Sequence, residues 1–105
     1  CRSAVEIFNL QTRGETKAWA TSGYELVQDE LPNAGDHAAA WETSLMMYFR
    51  PELVDIEQLP EDEQEKLIGV MGRDPRKHAS PEYGEKGVKL IIEKIDNKIQ
   101  NLLKR

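Results

Sequence analysis

Besides Asp36, two side chains in the segment Gly35-Asp36-His37-Ala38-Ala39-Ala40-Trp41-Glu42 are of the types that move protons, His37 and Glu42. An imidazole can take up and return a proton near neutral pH. A carboxylate can orient a neighbour, accept hydrogen bonds or balance a cation. The positive end of a helix disfavours an imidazolium, so a ring held there stays ready to accept a proton. Each residue also has a plainer reading: His37 as a surface residue near a helix start, and Glu42 as an acid at the edge of an apolar face, reaching water.

The element that must position them is a helix. Asp36 has the chemistry of an N-cap, and the helix predicted from it runs to about Phe49, because Pro51 forces Arg50 out of helical geometry. At about 100° per residue, with His37 at zero, the residues Tyr48, Trp41, Leu45, Ala38, Phe49, Glu42 and Met46 share one side. This places Glu42 inside the apolar stripe. A buried carboxylate there must be protonated, hydrogen-bonded or paired.

The other motifs of hydrolytic chemistry are missing from the sequence. It contains no His-Glu-x-x-His, no Cys-x-x-Cys, no histidine pair at i, i+4 and no Gly-x-Ser-x-Gly elbow. His37 and Glu42 are badly spaced to share one ion from a helix. The chain therefore supplies part of a site.

Around this segment, Ala4–Leu10 alternates imperfectly with β-branched and aromatic residues and reads as one strand. Residues 11–22 read as a long polar loop carrying Trp19, and Tyr24–Val27 as a short strand or helical turn. Asp62–Val70 reads as a short acidic helix. Ser80-Pro81 starts a last helix whose Val88, Ile91, Ile92, Ile95, Ile99, Leu102 and Leu103 form one stripe. Gly84 and Gly87 weaken its first turns by about 1 kcal/mol each relative to alanine. Lys104 and Arg105 suit the negative end of its dipole. One strand has no sheet to join, so its neighbours are expected in a longer parent chain or in a partner.

The chain has 105 residues, 31% of them charged and 39% hydrophobic, with a formal net charge of −5. That is a globular balance with room for one core. The acidic total and scattered basic residues argue against nucleic acid or an anionic membrane as partner. A single cysteine, Cys1, allows no internal disulfide, and a cytoplasmic setting is expected. Cys1 as first residue fits either a processed chain or one that continues upstream.

Asp36-His37-Ala38-Ala39-Ala40-Trp41-Glu42-Thr43-Ser44-Leu45-Met46, followed by Arg50-Pro51-Glu52-Leu53-Val54, resembles the creatininase (creatinine amidohydrolase) family. Gly72-Arg73-Asp74-Pro75-Arg76, Ala79-Ser80 and Glu85-Lys86-Gly87 resemble that family's stretch before its last helix. The likeness runs from about Gly35 to the C-terminus. It implies a three-layer α/β/α fold with a mostly parallel sheet, residues 1–105 being the C-terminal part of a single such domain. It implies a homo-oligomer and a metal-dependent hydrolase acting on a small polar cyclic molecule, such as creatinine or an inosose-type ring ketone. Two divalent ions, zinc or manganese, would be held by ligands from the remaining N-terminal part of the enzyme. His37 matches the family's active-site histidine, which moves the proton to the leaving group. Asp36, Glu42 and Trp41 fall to substrate contact or to orienting the groups that make it. The family's tryptophan upstream of the histidine is replaced here by Pro32-Asn33-Ala34, which widens the expected substrate beyond creatinine. The alternative is a non-catalytic assembly module of the same fold.

Overall fold

In a computed structural model that describes residues 1–104, the chain is helical. Five α-helices follow in order: α1 (Arg2–Gln11), α2 (Gly23–Val27), α3 (Ala40–Phe49), α4 (Pro75–His78) and α5 (Pro81–Leu103), with single 3-10 turns at Pro51–Leu53 and Ile56–Gln58. Among the described residues the only β pairing is an isolated antiparallel bridge between His37 and Met71. The expected three-layer α/β/α arrangement with its parallel sheet is therefore not what the chain forms.

The strand expected over Ala4–Leu10 is the body of α1. Without a neighbouring strand, a helix is the conformation that satisfies this segment's backbone groups internally. Its half-buried residues, Val5 and Asn9, lie four apart, a helical spacing. Asn9 ties the helix to the following loop twice, its Nδ2 donating to the Ala18 carbonyl at 2.9 Å and its Oδ1 accepting from the Ala18 N–H at 2.7 Å. An ion pair joins Arg2 to Glu25 of α2. The loop then lies along the far end of α5. Lys98 sits over the Trp19 ring at 5.7 Å, and Lys17 Nζ donates to the Leu102 carbonyl at 2.7 Å. That lysine meets the negative end of the α5 dipole. Lys104 follows as the C-cap, while Arg105 lies outside the described residues.

The core sits where α3 crosses the first turns of α5, with α2 packed against the same helix. Val27, Leu31, Ala34 and Trp41 form its buried cluster, flanked by Leu26, Leu45, Tyr83, Leu90 and Ile91. Close approach fixes which residues meet. A Cβ on Gly84 would come within 2.1 Å of the Ser44 carbonyl oxygen, and one on Gly87 within 2.5 Å of the Trp41 ring. The two glycines that weaken α5 as an isolated helix are the ones that let α3 pack against it. Ser44 is fully buried; its hydroxyl donates to the Ala40 carbonyl and accepts from the Ser80 N–H. Ser80 Oγ in turn accepts from the Tyr83 N–H at 3.0 Å, capping α5 as its sequence predicts.

This crossing corrects the face assigned to α3. The buried positions are Ala40, Trp41 and Ser44, not the Phe49–Glu42–Met46 side. Ser44 lies where the α3 backbone nearly touches Gly84 and Trp41 packs on Gly87, which leaves Phe49 60% exposed and Met46 42% exposed.

Asp62–Val70 is irregular chain rather than a helix. Arg76 explains its shape. Its guanidinium donates to the carbonyls of Pro60, Asp62, Glu63 and Glu65. The same group forms a multiple hydrogen bond with Asp74. Those carbonyls bend toward one cation instead of pairing along a helix axis. Asp74 also caps α4, accepting from the Arg76 N–H at 2.9 Å. The Asp74-Pro75-Arg76 run is thus a local device: cap, first helical residue and loop anchor.

The molecule measures 57 × 25 × 24 Å with a radius of gyration of 17.7 Å, against about 13 Å for a compact domain of this length. The excess length goes with Ile7, Phe8 and Leu10 on α1 and Ile92, Ile99 and Leu103 on α5, all exposed.

Candidate functional site

The site is built on the approach to α3. Helix α3 begins at Ala40, four residues after Asp36, yet the Asp36 carboxylate still caps it. Oδ2 accepts from the Trp41 N–H at 2.7 Å and Oδ1 from the Glu42 N–H at 3.1 Å. Two of the helix's orphan donors are satisfied by one side chain. Glu42 answers in the other direction, its Oε2 accepting from the Ala38 N–H at 2.7 Å. The arrangement is a capping box stretched by a loop. Ala38, inside that loop, has φ +49°, a left-handed conformation costly for alanine by about 1–2 kcal/mol, which the Glu42 contact helps to hold.

His37 is fixed by its backbone. Its N–H donates to the Met71 carbonyl and its carbonyl accepts from the Met71 N–H, both at 2.9 Å. Two residues further along the same segment, the Arg73 carbonyl accepts from the Ala40 N–H at 3.0 Å. Gly72 lies between. A Cβ there would meet Asp36 Cβ at 2.7 Å and Ala39 Cβ at 2.9 Å, and its φ is +142°. Only glycine lets the 71–73 segment lie this close to the His37 loop. The side chain of His37 is exposed.

Near these residues an open groove of about 440 Å³ runs between α3 and the chain after it. Ala38, Glu42 and Met46 contribute one side; Leu53, Ile56 and Leu59 contribute the other. His37 is not among its lining residues. The structure thus links Asp36 and Glu42 through backbone N–H groups at the start of α3, places Glu42 on the groove, and leaves the His37 side chain exposed outside it. Glu42 is exposed, so the interior position expected for it does not hold. Its partner is a backbone N–H four residues back, not a cation. Trp41 is 4% exposed, with its ring edge-on to Tyr83 at 5.8 Å between centroids; its side chain is committed to the core.

Tyr83 adds a feature that the sequence reading passed over. Burial pushes its phenol above the ordinary value, with nearby Arg73 opposing and Asp36 reinforcing that shift. Tyr83 therefore stays protonated at neutral pH. Its half-buried position and the Trp41 contact follow from Ser80-Pro81 setting the phase of α5, a signal already present in the sequence. Arg73 Nη2 lies 2.7 Å from His78 Nδ1.

The chain that carries this clamp and capped helix belongs to the creatininase family. The family model for creatininase, creatinine amidohydrolase, matches residues 4–99. No curated protein and no solved structure matches the chain. The match takes in α1 and α2 as well as the Gly35-to-C-terminus stretch that carries the resemblance, and hydrolysis of the amidohydrolase type is the activity of the family. No helix among the described residues is long and apolar enough to cross a membrane.

Proposed function

We propose that this chain carries the proton-handling part of an enzyme that hydrolyses a small polar cyclic substrate, a creatinine-like ring amide or an inosose-type ring ketone. The observation that carries the reading is the double backbone clamp on His37, within a chain matched to the creatininase family over residues 4–99. A group that shuttles a proton needs a fixed position and a free ring. The Met71 bridge supports the first, and the exposure of His37 supports the second.

In this reading His37 accepts a proton from the attacking water and returns it to the group released as the ring opens: the nitrogen of the broken C–N bond in a ring amide, or the α-carbon of the broken C–C bond in a ring ketone. Asp36 and Glu42 act through the backbone. Their carboxylates hold the start of α3 and the Ala38 turn, so they are positioning residues. Trp41 serves by fixing α3 against α5.

The family's reliance on metal puts a demand on these residues that they do not meet. Among the described residues no three His, Cys, Asp or Glu side chains converge to hold an ion. The oxygens of Asp36 both face backbone N–H groups. The ligands of a two-ion centre would come from elsewhere in the enzyme. The exposed apolar residues of α1 and of the far end of α5 favour burial against that remainder or against further copies of the chain.

The test is His37→Ala in the complete enzyme. Loss of a general acid–base should lower kcat by roughly a hundredfold or more, with KM little changed. Hydrolysis at the wild-type rate would remove His37 from the mechanism and favour the assembly role.

A further inference from the structure

The pairing of His37 with Met71 has a consequence for the site beyond anchoring. Residues that exchange both hydrogen bonds across an antiparallel bridge sit directly opposite, and their side chains project from the same face, with Cβ atoms about 5.5 Å apart. His37 and Met71 exchange both bonds at 2.9 Å. The side chains of Met71 and His37 therefore leave the backbone on the same face, as neighbours across the bridge.

Three observations show that this juxtaposition is built in. Gly72, next in the chain, is pressed against Asp36 and Ala39, so the segment cannot move inward or rotate. The Ala40 N–H to Arg73 carbonyl bond pins its other side. Met71 itself is 71% exposed, so its side chain is not needed for the core. A large apolar side chain left in water beside an exposed histidine, at a position held only by backbone bonds, is available to whatever binds at that histidine. Methionine is flexible and polarisable, and it closes over irregular apolar surfaces.

We propose that Met71 is a specificity-determining residue, forming an apolar wall beside His37 against which the carbon face of a small cyclic substrate rests. This rests on the reading of His37 as the proton carrier. The polar groups of the ring would face the imidazole, and the ring carbons and any N-methyl group would face the thioether. A contact of this kind discriminates by about one order of magnitude per methyl group.

The experiment uses the complete enzyme labelled with ¹³C at its methionine methyl groups, with creatinine and a cyclic polyol ketone as probes added in turn. The expected result is that the Met71 methyl signal and the His37 ring signals shift together with one apparent Kd for at least one probe. Met71→Ala, a change at an exposed position, should weaken binding of that probe about tenfold, and Met71→Leu should restore it to within about twofold. A His37 shift with no movement of the Met71 methyl, or binding unchanged in Met71→Ala, overturns the proposal and leaves the reading of His37 standing. If neither probe moves His37, both fall.

Discussion

Gly87 of α5 lies flat against the Trp41 ring of α3, so close that a methyl group in place of its hydrogen would come within 2.5 Å of two ring carbons. Trp41 is the largest side chain in the buried cluster, and its ring can retreat only by losing Tyr83. The two helices that carry the site are held together at this point.

Gly87→Ala should therefore destabilise the protein even though alanine is the better helix former. Overpacking of a tight contact costs about 1–3 kcal/mol, against about 1 kcal/mol gained in helix propensity. A lowered melting temperature is expected, while Gln100→Ala, on the exposed face of the same helix, should stay within about 0.5 kcal/mol of wild type. A Gly87→Ala protein more stable than wild type would mean that α3 and α5 are further apart than described.

Ser44→Ala removes the acceptor for the Ser80 N–H at a fully buried position. An unpaired buried donor costs about 1–3 kcal/mol. Chemical denaturation should show a lower midpoint with an unchanged slope. Hydrogen exchange at the Ser80 amide should rise more than at amides in the middle of α5.

Asp36→Ala strips both caps from the start of α3 and should cost about 0.5–2 kcal/mol. Asp36→Asn keeps one carbonyl oxygen and should fall between the alanine variant and wild type. Because the same loop presents His37, the alanine variant should also speed amide exchange at His37 and Met71. Exchange unchanged at those two amides would show the bridge to be independent of the cap.

Asp74 gives the clearest dependence on pH. The hydrogen bonds from Arg76 hold its carboxyl below the ordinary value of 3.8, with desolvation opposing. A carboxylate depressed in the folded state contributes stability above its unfolded value and loses it as pH falls through the lower folded value. The Asp74–Arg76 contribution should thus be complete above about pH 5, and it should disappear on acidification below 3.8. Thermal melts of wild type and Asp74→Asn should differ at neutral pH and converge in acid. A constant gap down to the lowest pH would contradict the linkage.

How much of this was legible in the sequence varies with the range of the interactions involved. Ser80-Pro81 and Arg50-Pro51 bound helices through chemistry local to those residues, and both boundaries stand where the sequence puts them. Tyr24–Val27, open between strand and helical turn, is helical, with a capping box between Ser22 and Glu25. The Ala4–Leu10 alternation misleads because period-2 patterning has meaning only beside another strand. The interior face of α3 was misassigned because side-chain size is not what selects it. Two glycines some forty residues away make room for Ser44 and Trp41, and no periodicity within α3 records that. The acidic run 62–65 looks helical by composition, but a single arginine more than ten residues downstream outcompetes it for its carbonyls. Of the candidate site, Asp36 as the side chain that caps α3 could be read. The bridge that seats His37 against Met71 spans 34 positions and could not.

Arg76 resembles a bound metal ion in one respect and differs in another. Backbone oxygens wrap around a positive charge, as in a calcium-binding loop, but this cation is covalently part of the chain and cannot be diluted away. The folded-back segment from Pro60 to Glu65 should keep its shape in chelators and at any protein concentration. It would be lost on replacement by lysine, whose compact ammonium cannot serve four carbonyls and a carboxylate at once.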